Sequence, residues 1–390
     1  MGILRRIAVI LAISAPIVVV AQSDNDYEYE RSSLHMMMIK HLNQKYEDII
    51  VDVYKQSRFP ERFNNHDLGV NVVSFAESEG DQSKNILSFC EQVNLGQKMV
   101  AKWFNRKRET GSFDMELIKE RGFYNASQTK NNLARRSLRG KAMLEDAGEQ
   151  LIKNTYLVIN DIRYTSRAGS LSLLQAFAGA YVGSTKAMNH LYDIGGFRVE
   201  ITSYLFRLKW NDESAATFYE NYYTEDGSAD QQKVESFKKD GAQWKMEYVG
   251  KTFCKSQETA LSGVKDPSKL LTKVCTRAID KNIAELQHAH PDFRIKAPLV
   301  STEPLRVHVG LKEDITPESR FEVLEREIDD NGHVVYKRVG LIRPKKDLIW
   351  DNRYMADSTD KNATLGYTEF EVVSGKDFYP GMLVRETASH

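Results

Sequence analysis

From Leu305 onward the chain is a succession of short alternating segments joined by tight turns, and this pattern constrains the fold more than any other feature. "LRVHVGLKE" is followed by "RFEVLEREIDDNGHVVYKRVGLIRP", in which DDNG separates two alternating runs, a strong hairpin signal. "KDLIWDNR", "TEFEVVSG" and "YPGMLVRE" continue the series. Short strands in such close succession bury one face each and leave few edges when they close on themselves, so the pattern predicts a small β-barrel of the SH3-like kind. We place it over residues 298–390, with Pro298 and Pro304 bracketing a linker. Barrels of this type more often dock than catalyse, an argument from fold analogy.

The preceding region, 36–297, mixes helical and strand periodicities and predicts an α+β domain. "LHMMMIKHLNQKYEDIIVDVYKQ" has helical spacing, and "LGVNVVSFAES" is short and β-branched, hence a strand. "NILSFCEQVNLGQKMVAKWFNRK" puts its apolar residues mostly on one side of a helix. "SLRGKAMLEDAGEQLIKN" is amphipathic, and "TYLVIND" after it predicts a covered strand. "FRVEITSYLFRLKW" and "GAQWKMEYVGKTF" alternate and predict antiparallel strands. Asp266 followed by Pro267 is a helix start.

Between two of these strands lies "LSLLQAFAGAYVGSTKAM", Leu171 to Met188, in an uncharged run from Ala168 to Thr185. It falls short of the roughly 20 apolar residues that cross hydrocarbon as a helix, and its serines, glutamine and glycines lower its apolarity further. No transmembrane span is expected once the leader is removed. Ala176 and Ala180, and Gly179 and Gly183, recur at four-residue spacing and form a ridge of small side chains suited to close backbone approach, in the fold or between copies.

At the N-terminus, Arg5 and Arg6 precede an apolar run from Ile7 to Val20 that ends in small residues, the pattern of a secretory signal peptide over 1–21. The polar stretch 22–35 is expected to be disordered. The 390 residues suggest about two or three domains. Their 54 basic and 54 acidic residues balance, so no overall field draws a polyanion and nucleic acid is not an expected partner. The 3 cysteines exclude a disulfide framework. Cys254 and Cys275 leave two arrangements open, a bridge or two buried thiols, and Cys90 has no Cys/His/Asn setting that argues for a nucleophile.

"HAHPD" offers His288, His290 and Asp292 as ligands, but no third and fourth partner is nominated, so no metal or other cofactor is expected. HExxH, GxSxG, P-loop and GxGxxG patterns are missing from the sequence. No catalytic residue is nominated. A hydrolase would need two carboxylates converging in a cleft, and the adjacent Glu145 and Asp146 point in different directions from one helix.

The blocks "RGKAMLEDAGEQLIKNTYLVIND", "FEVLE", "YKRVGLIRP", "WDNRYMA" and "YPGML" together resemble an uncharacterised family of exported proteins from Bacteroides-type Gram-negative bacteria. The C-terminal part is also similar to the small barrels of envelope proteins such as the flagellar assembly protein T. The resemblance implies export to the periplasm or outer surface and a multidomain architecture, and assigns no catalytic residues. The expected function is that of a non-enzymatic envelope protein that docks to an envelope partner or to itself, with a hydrolase of envelope polymers or glycans as the alternative.

Overall fold

The computed structural model describes residues 31–41, 47–60, 62–75, 81–125, 148–164, 197–258, 267–294, 296–328 and 334–387. The proposed leader and the ridge of Ala176, Gly179, Ala180 and Gly183 lie outside the described residues, as do Glu145 and Asp146.

The chain is α+β, with a mixed sheet followed by a closed barrel. In the sheet, β1 (Ser33–Ile39) is flanked on one side by two short strands, β2 (Asn64–Asn65) and β3 (Val72–Val73), and on the other by β4 (Thr155–Tyr164), all parallel to it. From β4 the sheet continues antiparallel through β5 (Phe197–Leu208) to β6 (Met246–Glu258). Helices cover both faces. Leu34, Met38, Val158 and Ile162 pack with α1 (Glu47–Gln56) and the long C-terminal helix of the domain, Pro267–Ala289. Met37, Ile39, Leu157 and Ile159 pack on the other face with α2 (Gln82–Gln92) and α3 (Leu95–Trp103). That second core also holds Phe218 and Phe237, which lie on the two helices Asp212–Asn221 and Gln231–Lys239.

Double coverage explains the first departure from the sequence reading. "LHMMMI" carries no alternation, because in a central strand buried on both faces successive apolar residues, here Met36 to Ile39, face opposite covered sides. Unbranched methionines suit a helix by propensity, so the pattern reads as helical until the neighbouring strands are known. Ser33 and His35, assigned to a disordered lead, are therefore buried in β1. The single helix expected over 85–107 is two, α2 and α3, broken where Asn94 adopts φ 52°. "TFYENYY", taken for clustered aromatics before a turn, falls largely in the helix Asp212–Asn221, where Phe218 stacks on Phe104 at 3.8 Å between ring centroids. The long helix begins at Pro267, as the Asp–Pro signal requires.

The barrel closes in the order β10-β11-β8-β7-β12-β9, with β7 Ala297–Thr302, β8 Leu305–Val307, β9 Phe321–Ile328, β10 Val334–Pro344, β11 Thr368–Ser374 and β12 Leu383–Glu386. Phe321, Val323, Ile342, Phe370 and Val384 fill its interior with Leu299 and Val307. The β9–β10 hairpin pairs Ile328 with Val334 around the DDNG segment. The linker expected between Pro298 and Pro304 is instead strand β7, and "KDLIWDNR" forms a short 3-10 turn and one isolated bridge, Gly310 to Trp350, where a strand was expected. At the β10 bulge Gly340 lets the Phe378 ring lie where a Cβ would approach it to 2.3 Å.

Candidate functional site

Besides the buried Asn160–Ser203–Asn282 and Ser33–His66–Arg121 networks inside the sheet domain, polar side chains gather at two further places among the described residues. The first is the seat of the barrel on the helix Pro267–Ala289, which we label α7 after α4 (Glu116–Asn125), α5 (Asp212–Asn221) and α6 (Gln231–Lys239). Arg62 Nε donates to Glu313 Oε1 at 2.9 Å, while Glu313 Oε2 accepts from the Gly310 amide at 2.7 Å and Asn352 Nδ2 at 2.8 Å. Burial works against ionisation of Glu313, yet the Arg62 charge and these donors outweigh it and hold the carboxyl below its ordinary range. Arg277 on α7 donates to the Tyr354 and Met355 carbonyls. Farther along, His288 Nε2 meets Glu386 Oε2 at 2.8 Å, and Arg294 donates to the Glu386 carbonyl. The Glu386 hydrogen bond raises the His288 pKa. The block "WDNRYMA" is thus largely the part of the barrel that grips the other domain.

The second place is the carboxyl ends of the neighbouring parallel strands β1 and β4. His41, just past β1, puts Nε2 2.8 Å from Asp161 Oδ1 on β4. Arg163 donates to both oxygens of Asp161. Glu47, in the first turn of α1, accepts the His41 backbone N–H through Oε1 at 3.0 Å, while its Oε2 is buried without a hydrogen-bond partner among the described residues. The two carboxyls are driven apart. Burial raises Glu47, whereas for Asp161 the donors His41 and Arg163 overcome the penalty of burial and lower it.

A scan against protein-family models and a search of curated proteins both return no match for this chain. The site must therefore be read from its own residues. Of the histidines weighed as ligands, His288 serves the barrel seat, His290 packs its ring against Gly250, and Asp292 pairs with Arg207 at 3.2 Å. Among the described residues no group of three His, Cys, Asp or Glu side chains is arranged to hold a metal. The bridge considered for Cys254 and Cys275 is not formed: both are buried thiols in one core, and Cys254 Sγ faces the Ala278 carbonyl at 3.3 Å. Burial pushes Cys90 and Cys254 up to about 12, well away from a thiolate nucleophile. No described helix is long and apolar enough to cross a membrane.

Sequence reasoning missed His41, Glu47 and Asp161. They are 6 and 120 residues apart along the chain and meet only because β1 and β4 are neighbours. The one local signal was Glu47 at the start of an amphipathic helix, a position that also suits simple dipole compensation.

Proposed function

We propose that this chain is an exported cell-envelope protein, periplasmic or surface-located, with a docking or assembly role through its SH3-like barrel. The leader-like N-terminus and the resemblance of its sequence blocks to exported proteins support the compartment. The observation that carries the docking role is on the barrel: while one side is clamped to the sheet domain through Glu313 on Arg62 and Glu386 on His288, Val372, Val373 and Tyr379 stand 50%, 46% and 50% exposed. Val372 and Val373 are consecutive on β11 and point to opposite sides, so the end of that strand has water on both faces. Such a strand end can extend a partner's sheet or bury its valines in a partner's groove. The test is a photo-crosslinking residue at position 373 in cells producing the full chain, with exposed Lys361 as control. A discrete adduct at 373 and none at 361 is the expected result; an uncrosslinked chain at both positions refutes docking through β11.

A second reading, a hydrolase of envelope polymers or glycans, is favoured by one observation: Glu47 and Asp161 flank His41 with oppositely shifted carboxyls, the condition for an acid and a base to coexist. In that reading Glu47 gives the proton, and Asp161 orients His41 or stabilises positive charge. Turnover of peptidoglycan or glycan fragments by the purified chain, abolished in Glu47→Gln, would establish it; no turnover removes it.

A further inference from the structure

The edge of the sheet beside β1 is interrupted. β2 ends at Asn65 and β3 begins at Val72; the His66 N–H still reaches the Leu34 carbonyl and the Met38 N–H reaches the Asn71 carbonyl, but the intervening chain swings away. A cavity of about 130 Å³ opens there, lined by His35, Lys55, Arg58, Asn65, Asp67 and Asn71, with apolar wall from Phe59 and Ile279. At roughly 30 Å³ of liquid volume per water, it has room for about four waters.

The lining is bipolar. Asp67 Oδ1 accepts from the Gly69 amide at 2.9 Å and from the side-chain amide of Asn71, and Oδ2 has no hydrogen-bond partner among the described residues. Lys55 and Arg58, from the end of α1 and the segment after it, supply positive charge to the same cavity, and both are exposed. Arg58 has no carboxylate partner among the described residues; its guanidinium lies 5.5 Å from the Tyr354 ring centre, a contact that leaves its in-plane N–H donors open. His35 lines the cavity with a buried ring whose Nε2 has no hydrogen-bond partner among the described residues and whose Nδ1 lies 3.9 Å from Asp67 Oδ1. Burial holds this ring down to about 4, so it is neutral at neutral pH and adds no repulsion toward a cation.

We infer that this cavity binds a small zwitterion of the amino-acid class, its ammonium group on Asp67 and its carboxylate on Arg58 and Lys55. A lone anion would leave Asp67 facing it, and a lone cation would face two fixed positive charges; only a molecule carrying both satisfies both ends. The cavity has room for the charged ends of a small amino acid, and because it opens to solvent a side chain can project outward. The Arg58 fork suits a carboxylate because it donates two parallel N–H groups, which a lysine cannot. This site is distinct from both the β11 surface and the His41–Asp161 pair, and stands without either.

The test is calorimetric titration of the full mature chain with L-alanine and D-alanine, using ethylammonium and propionate as the two half-ligands. Saturable binding of either alanine is expected, weakened at least tenfold in Arg58→Ala and in Asp67→Asn, with neither half-ligand binding comparably. Arg58 is exposed, so Arg58→Ala should melt with the wild type and keep the comparison clean even if Asp67→Asn disturbs the turn. No saturable binding of alanine, equal binding by a half-ligand, or unchanged affinity in Arg58→Ala overturns the proposal.

Discussion

The sheet domain and the barrel solve the same problem, covering β-strands, in opposite ways. The sheet is covered by helices on both faces, so its central strands are mostly apolar; the polar side chains they do bury are satisfied internally, as Ser203 is between Asn160 and Asn282, and others gather at strand ends and at the edge, around His41 and at the β2/β3 gap. The barrel covers its strands by closure, so each strand has one inner and one outer face and keeps its alternation. The difference teaches where to look in each: gaps and strand ends in the sheet domain, outer faces and projecting strand ends in the barrel.

The largest effect that breaks this comparison is expected from the aromatic core on the α5/α6 face. Phe218 is fully buried against Phe104, Phe113 and Trp244, and Phe218→Ala should cost about 3–5 kcal/mol. Calorimetry should show the sheet domain melting earlier while the barrel transition stays in place; a parallel shift of both would show that the two melt as one unit.

Next comes the seat. Glu313→Ala removes the acceptor of Arg62, Asn352 and the Gly310 amide, and loss of one partner of a largely buried pair costs about 3 kcal/mol. A wider gap between the barrel and sheet-domain melting transitions is the expected outcome, read by calorimetry and by protease cleavage near residue 295. Unaltered transitions would show that the apolar part of the seat suffices.

A smaller effect is set by pH. His288 is raised in the folded state, so its stabilising contribution is fully present below its unfolded pKa of about 6.5 and is lost as pH rises through the raised folded value. Stability of the seat should fall over that window, and His288→Gln should abolish the dependence. If the wild type and the variant share one pH profile above 6.5, the His288–Glu386 contact contributes nothing to docking the barrel.

The smallest effect sharpens the view of the His41 cluster at the ends of β1 and β4. Glu47 is raised by burial, so wild-type stability declines as pH climbs past the ordinary carboxyl range through the folded value, while Asp161, lowered, adds stability that is lost in acid. Glu47→Gln should flatten the first slope and leave the second. Denaturant titrations from about pH 7 down to about pH 2 read both, the Glu47 slope above the ordinary carboxyl range and the Asp161 loss below about pH 4.

Much of the barrel was legible because its signals are local: alternation, a DDNG turn and apolar positions two apart are all written within one hairpin. Two stretches misled: the expected linker between Pro298 and Pro304 is β7, and in "KDLIWDNR" Ile349 is buried while Asn352 bonds Glu313, the carboxylate that holds Arg62, a contact no local pattern encodes. In the sheet domain β5, β6 and the Pro267 helix start were likewise local. β1 was not, because burial on both faces erases the periodicity that identifies a strand.

By itself the sequence determined the α+β class, the barrel and its hairpins, and the helix start at Pro267, since propensity, turn chemistry and period act over a few residues. Tertiary structure alone decided that Met36–Met38 form a central strand and that Cys254 and Cys275 remain separate thiols. It alone brought Arg62 to Glu313 across 251 residues and His41 to Asp161 across 120. Burial and electrostatics depend on what lies within a few ångströms in space, and the order of residues along a chain carries that information only after the strands have paired.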